Sequence, residues 1–207
     1  MSDAYAVYTS LQNENNISFR RAGCMAHARR KFVEAARGGD TRAEEAVRLI
    51  GKLYEVEKEA REAGLDHAAL QKVREEKSRP ILAELRAWLA NSLAVLPKSP
   101  LGKAIGYAED NWTALGEFVG DGRLPIDNNA VERAIRPVAI GRKNWLFAGS
   151  ERGAKAAAIF FTLIDSARRA NVNLWAYITD LLTRLPSHPI SRLEELLPDR
   201  WQPTSKT

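Results

Sequence analysis

Cysteine and histidine are scarce in this sequence. Cys24 is the single cysteine among 207 residues, so an internal disulfide is impossible, which fits a reducing cytosol. Cys24 and His27 have the gap of a zinc-ligand pair, but the second pair that a structural zinc site needs is missing. We therefore expect a buried thiol and a histidine at a helix start. The three histidines do not exclude a catalytic nucleophile of the Ser/His/Asp or Cys/His kind. The sequence has, however, no nucleophile elbow and no glycine-rich phosphate loop.

Long apolar runs are also missing. The longest, Ala156 to Ile164, is interrupted by Thr162 and is far shorter than the ~20 residues that cross a bilayer. The amino terminus has no basic start followed by an apolar stretch, as a secretory signal requires. We therefore expect a soluble, cytoplasmic protein with no membrane partner.

Charged residues, in contrast, are plentiful. Lys and Arg total 31 against 26 Asp and Glu, giving a net charge of +5. This excess suits a polyanionic partner such as DNA, but many proteins that never bind nucleic acid are equally basic. The positions of the basic residues are therefore more informative than their number.

Helical periodicity dominates from Met25 to Phe118 and predicts a block of antiparallel helices there. The clearest apolar stripe runs from Ala46 to Ala63 and ends at Gly64, a residue suited to a left-handed helix end. A coiled-coil seam is the alternative use of this stripe. Two helix N-caps are predicted, at Asp66 and Ser99, and Pro80 is predicted to break or kink its helix.

After Phe118, glycine and proline residues interrupt the helical pattern more often. Gly120 to Pro125 predicts a boundary, followed by a short helix that ends at Pro137. A connection from Gly141 to Gly149 and a long helix capped by Ser150 come next, and then a last helix. The strand signal is weak: it is a brief apolar–polar alternation at 17–21.

The most unusual segment is Asp127 to Arg136. Asn128 and Glu132 are four residues apart, so they share one helix face, and a carboxylate beside amides is a reasonable Mg²⁺ ligand. Spacing alone favours a simpler interpretation, in which Asn129 is the N-cap of a capping box with Glu132. Nearby are four basic residues suited to phosphate: Arg133, Arg136, Arg142 and Lys143.

Three separated blocks resemble insertion-sequence transposases of the IS sixty-six (IS66) family. Gly23 to Phe32 resembles the family's Cys-Trp-Ala-His-Ala-Arg-Arg-Lys-Phe block, with Met25 in place of Trp. The second block, Asp127 to Ser150, matches the family's second signature, including Asp-Asn-Asn, Glu-Arg, Ile-Arg-Pro and Gly-Arg-Lys-Asn-Trp. The third, Gly153 to Trp201, is similar to the family's terminal domain. The resemblance covers nearly the whole chain in the same order.

This resemblance implies a ribonuclease-H-like core whose Asp-Asp-Glu set holds two Mg²⁺ ions for in-line phosphoryl transfer. Glu132 occupies the glutamate position, and Asp3, in a sequence similar to the family's Asp-Gly-Tyr motif, is the candidate second aspartate. Asp3 and Glu132 are thus the candidate catalytic and metal-binding residues. The first aspartate would lie before Asp3, so we expect this chain to be inactive alone. The candidate DNA-binding residues are Arg29, Arg30, Asn128, Arg133, Arg136, Arg142 and Lys143.

The expected fold class is α+β, mostly α, in four parts. Residues 1–28 would be a remnant of the ribonuclease-H-like core, 29–120 a helical insertion, 121–149 the glutamate helix with its basic connection, and 150–207 a helical C-terminal domain. The expected function is that of a nucleoid-associated DNA transposase fragment acting on transposon ends, with full-length transposase or a second copy as partner. The alternatives are a non-catalytic DNA-binding or transposase-interacting accessory protein, and a purely helical interaction protein.

Overall fold

The computed structural model describes residues 21–92, 95–145 and 148–203. These residues are mostly helical, as predicted, and among them only Gly23 is in a β-bridge. The N–H of Gly23 donates to the carbonyl of Ala114 over 2.7 Å. Asp3 and residues 17–20 of the predicted strand lie outside the described residues, and Arg21 is not in a strand. The ribonuclease-H-like core therefore stays a prediction.

Nine α-helices are described, together with shorter turns of other helix types. The α-helices are α1 (Met25–Arg37), α2 (Ala43–Glu62), α3 (His67–Val73), α4 (Arg79–Asn91), α5 (Pro100–Asp110), α6 (Trp112–Gly116), α7 (Asn129–Trp145), α8 (Glu151–Arg169) and α9 (Leu174–Arg184). A π-helical segment, Arg74–Ser78, joins α3 to α4, and 3₁₀ turns cover Glu117–Gly120, Leu185–Ser187 and Ile190–Leu196.

Local side-chain chemistry sets several helix ends. Asp66 and Ser99 accept hydrogen bonds from backbone N–H groups three residues on, over 2.8 and 3.0 Å, and Ser150 does the same over 3.0 Å. All three predicted caps are confirmed. Gly64 follows the end of α2 with a φ of +65°, a conformation that glycine adopts without steric cost. The prediction for Gly64 is therefore also confirmed.

The described residues form two compact units, which divide between Val131 and Glu132, inside α7. In the first unit, α1 packs against α2 and α5, and α2 packs against α4. Phe32 of α1 is fully buried and meets Trp88 of α4 edge to face, with ring centroids 5.8 Å apart. The apolar stripe of α2 is buried from Ala46 to Ala60, so this part is not available as an exposed coiled-coil seam.

Pro80 widens its helix instead of ending it. The chain runs from α3 into α4 through the π-helical segment Arg74–Ser78, with Pro80 in the first turn of α4. Proline lacks an N–H, and its ring crowds the carbonyl four residues earlier, here that of Glu76. The wider π turn gives this carbonyl room, so the predicted break takes the form of a local change of helix type.

Pro137 does not end its helix either. The predictions that a short helix ends there and that a connection begins at Gly141 are wrong, because α7 runs unbroken from Asn129 to Trp145. Pro137 is exposed, so the Arg133 carbonyl that loses its intrahelical partner is near solvent. Proline inside a helix costs about 3 kcal/mol, and α7 nevertheless continues to Trp145.

The second unit has a small core around Tyr177 of α9. Tyr177 is fully buried, and its hydroxyl donates to the carbonyl of Leu196 over 2.9 Å. Trp201 meets the Tyr177 ring edge to face at 5.6 Å and donates its indole N–H to Asp180 over 2.7 Å. Ala167 of α8 is buried in the same cluster. Among the described helices of both units, none has the length and apolarity that crossing a bilayer requires.

Candidate catalytic and DNA-binding residues

The segment before α7 forms three hydrogen bonds with α1, its N-cap and α2. The carbonyl of Ile126 accepts from the N–H of Met25 over 3.1 Å, and the N–H of Asn128 lies 3.4 Å from the Cys24 sulfur. In the third, the carboxylate of Asp127 accepts the hydroxyl proton of Tyr54 over 2.9 Å. The start of α7 is therefore held against α1 and α2.

Asp127 also engages Asn129, the first residue of α7. Its carboxylate accepts the Asn129 backbone N–H over 3.0 Å and the Asn129 side-chain amide over 2.8 Å. The interpretation of Asn129 as the N-cap of a capping box is wrong, because Asn129 is already helical. Asp127, two residues earlier, supplies the side-chain acceptor for its N–H, as aspartate does in an Asx turn.

Tyr54 is held in its protonated form. Burial is the main cause that raises its pKa, followed by the negative charge of Asp127 and the hydrogen bond to it, while the positive charge of Arg29 lowers the pKa. A phenol that donates to a carboxylate loses this bond on ionisation. Tyr54 is therefore a hydrogen-bond donor at neutral pH and is unsuited to act as a general base.

Glu132 lies in the first turn of α7 and is half-buried. A carboxylate at this position is stabilised by the positive end of the helix dipole. Asp3, its predicted partner, lies outside the described residues. Among the residues that the structure describes, no group of three or more His, Cys, Asp or Glu side chains is placed to hold a metal ion. The predicted metal pair therefore remains a prediction.

The four predicted basic residues near Glu132 are all exposed. At about 100° per helical residue, Arg136 and Lys143 lie within about 40° of Glu132 around the helix axis. Arg133 and Arg142 are turned away from Glu132 by about 100° and 80° in opposite directions. Arg136 and Lys143 therefore share a helix face with the carboxylate, and the other two residues flank this face.

The other predicted site residues belong to the first unit. Arg29 and Arg30 are exposed on α1 and line a cleft together with Asn129. The side-chain oxygen of Asn128 is buried and has no hydrogen-bond partner among the described residues. Cys24 is fully buried at the N-cap of α1, as the predicted buried thiol requires.

Sequence reasoning missed Arg74, the first residue of the π segment. Its side chain is 1% exposed, and its guanidinium donates twice to Glu57, each time over 2.7 Å. It also donates to the carbonyls of Phe118, Asp121 and Leu124 over 2.7 to 3.0 Å. One signal could have revealed it: a charged residue four positions after Leu70 falls on that residue's helix face.

Comparisons with known proteins agree with the resemblance of the sequence blocks. The chain matches the model described as "Transposase IS66 family" over residues 1–156 and that of the "IS66 C-terminal element" over residues 162–198. No solved structure matches the chain.

Three uncharacterized proteins of Sinorhizobium fredii are among its relatives. Protein y4hP is 40% identical over 89% of this chain and 36% of its own length. Protein y4jD is 36% identical over 97% of this chain and 40% of its own length. Protein y4qI is 38% identical over 97% of this chain and 38% of its own length. The chain thus spans about two fifths of the length of these relatives.

Proposed function

The chain belongs to the transposase IS66 family, and on that basis we propose that it supplies the glutamate-bearing part of a DNA transposase. The proposed reaction is Mg²⁺-dependent phosphoryl transfer on transposon-end DNA. The observation that carries the proposal is the position of Glu132, in the first turn of a helix that presents basic side chains on the same face.

The donor chemistry of the candidate ligands fits magnesium. Mg²⁺ prefers oxygen ligands, and Glu132 offers a carboxylate. Asp3 is the proposed second carboxylate. Mg²⁺ ions held by Asp3 and Glu132 would supply activation of the attacking water or 3′-hydroxyl and stabilisation of the leaving oxygen.

The basic side chains of α7 would hold the DNA backbone near the carboxylate. Arg136 can donate two parallel hydrogen bonds to a phosphate, whereas Lys143 acts as a compact positive charge. Arg133 and Arg142, on the flanks of that face, would contact neighbouring phosphates. Contacts of this kind position DNA without reading its sequence, so we expect this helix to orient the strand rather than select it.

The test is metal-dependent cleavage of labelled transposon-end DNA by the polypeptide at its natural length. We expect Glu132→Gln to abolish cleavage while leaving DNA binding intact. Glu151→Gln is the matched control, because Glu151 also lies in the first turn of its helix and is 83% exposed. Cleavage that persists in Glu132→Gln, or that is lost equally in both variants, would contradict the assigned role.

A second candidate function is DNA binding without catalysis, as in an accessory protein that contacts DNA or a transposase. The exposed basic residues of α7 favour it, because phosphate binding by arginine and lysine needs no carboxylate. In this case the protein would bind DNA, but no Mg²⁺ or Mn²⁺ concentration would yield a cleaved strand.

A further inference from the structure

A cleft of about 430 Å³ lies in the first unit, between α1, α2 and the first residue of α7. Its wall combines two guanidinium groups, a phenol, an amide and three small or apolar residues, and it contains no carboxylate. The lining residues are Ala26, Arg29, Arg30, Val33, Gly51, Tyr54 and Asn129. We propose that this cleft receives one nucleotide of a DNA strand, with its phosphate on Arg29 and Arg30. The identification of DNA as the ligand rests on the proposed function.

The charges of the cleft favour an anion. Arg29 and Arg30 are exposed, and within the described part of the chain neither is paired with a carboxylate. Two cations on a concave surface concentrate anions at that surface. Asp127 lies close by, but its carboxylate already accepts three hydrogen bonds, from Tyr54 and Asn129, and it does not line the cleft.

The size and the apolar wall favour a nucleotide over a bare phosphate. The volume falls in the range of about 300–1,000 Å³ that is typical of small-molecule sites. Ala26 and Val33 offer apolar contacts to a sugar or a base, while the guanidinium groups match the geometry of phosphate oxygens. A concave site of this kind suits one nucleotide of an unpaired strand better than the regular backbone of a duplex.

Gly51 is the feature that keeps the cleft open. It lies within the twenty-residue helix α2, where glycine is about 1 kcal/mol less favourable than alanine. The fold of the described residues does not require glycine there: its φ is not positive, and a Cβ built on it would meet no atom within 4 Å. Any larger residue would project into open space at the wall of the cleft.

The test measures binding of a short, labelled, single-stranded DNA in EDTA. We expect Gly51→Leu to weaken binding about tenfold or more, and Gly51→Ala to weaken it less, because the larger side chain fills more of the cleft. Gly106→Leu is the matched control: Gly106 is also inside a helix, its added Cβ also meets nothing, and it does not line the cleft. Thermal melting of each variant verifies that it is folded, and Gly51→Ala serves if Gly51→Leu does not fold.

Three results would overturn the proposal. One is wild-type affinity in a folded Gly51→Leu or, failing that variant, in Gly51→Ala. Another is an equal loss of affinity in Gly106→Leu. The third is competition by inorganic phosphate as effective as that by deoxyadenosine monophosphate, which would make the cleft a phosphate site only. Because binding is measured in EDTA, it requires neither a bound metal ion nor cleavage, so a failure of the catalytic proposal does not affect this result.

Discussion

The hydroxyl of Tyr54 donates to the carboxylate of Asp127 over 2.9 Å, across 73 positions of sequence. This bond joins the middle of α2 to the segment that begins α7. The Asp127 carboxylate also accepts two hydrogen bonds from Asn129, so it is engaged by three donors, all within the first unit. Asp127 therefore holds the start of α7 in place, and its neighbour Asn128 keeps its amide oxygen unengaged among the described residues.

Replacing Tyr54 with Phe should lower the free energy of unfolding by about 1.5–3 kcal/mol, because a hydrogen bond to a charged group is lost in a partly buried site. Urea denaturation measures the change. In a double-mutant cycle, Tyr54→Phe should cost much less in an Asp127→Ala background, where the acceptor is gone. Fully additive effects of the two substitutions would show that the hydrogen bond contributes no coupling energy.

Replacing Arg74 with Met should lower the free energy of unfolding by about 3–5 kcal/mol, because it leaves a partly buried Glu57 without its ion-pair partner. The three backbone carbonyls that Arg74 binds also lose their donor. Arg79→Met is the control, since Arg79 forms an exposed pair with Glu75 and such pairs contribute about 0–1 kcal/mol. Equal losses in the two variants would contradict a special role for Arg74.

The pKa of Asp121 depends on Arg123. Side-chain and then backbone hydrogen bonds from Arg123 lower the pKa of Asp121 from 3.8 to about 2. A lowered folded-state pKa means that the stabilisation is present above the ordinary value and is lost as pH falls toward 2. We expect Arg123→Ala to return the Asp121 pKa toward 3.8 in an NMR titration. Asp40, whose pKa is lowered by Arg42, should not change in this variant.

The salt dependence of DNA affinity tests whether the basic face of α7 binds DNA. Replacing Arg136 and Lys143 with Ala should make the slope of log affinity for duplex DNA against log salt concentration shallower by about two units, because each lost phosphate contact removes about one. Arg48→Ala is the control, since Arg48 is exposed on α2 and paired with Glu45. A salt slope unchanged by the double substitution would identify α7 as an ordinary solvated face.

The sequence predicts hydrogen bonds between residues a few positions apart, such as helix caps. It does not predict hydrogen bonds between residues that are far apart in sequence. The caps Asp66 and Ser99 were predictable, because each accepts a hydrogen bond from a residue three positions away. Arg74 was missed, because its partners lie between 17 and 50 positions from it. Pro137 was misread, since the sequence does not reveal that the helix continues beyond it.

The candidate site was predicted by family resemblance rather than by spacing. Spacing alone favoured a capping box for Glu132, with Asn129 as the cap, and the structure places Asn129 inside the helix. The cleft beside Arg29 and Arg30 was not predicted, because it requires α1, α2 and Asn129 to meet. The arginines themselves were candidates, but their adjacency in sequence indicates only a charged helix surface.

The π segment Arg74–Ser78 contains one residue more than an α-helical turn would need to connect α3 to α4. A π turn uses one residue more than an α turn to reach the same place, so shortening the segment by one residue would leave Leu82, Leu85 and Leu89 facing the same core. Pro80 is the reason for the extra residue, because the wider turn relieves crowding by its ring. Loss of this proline and loss of one residue from the segment should therefore occur together among relatives, as paired changes in an otherwise constant helix.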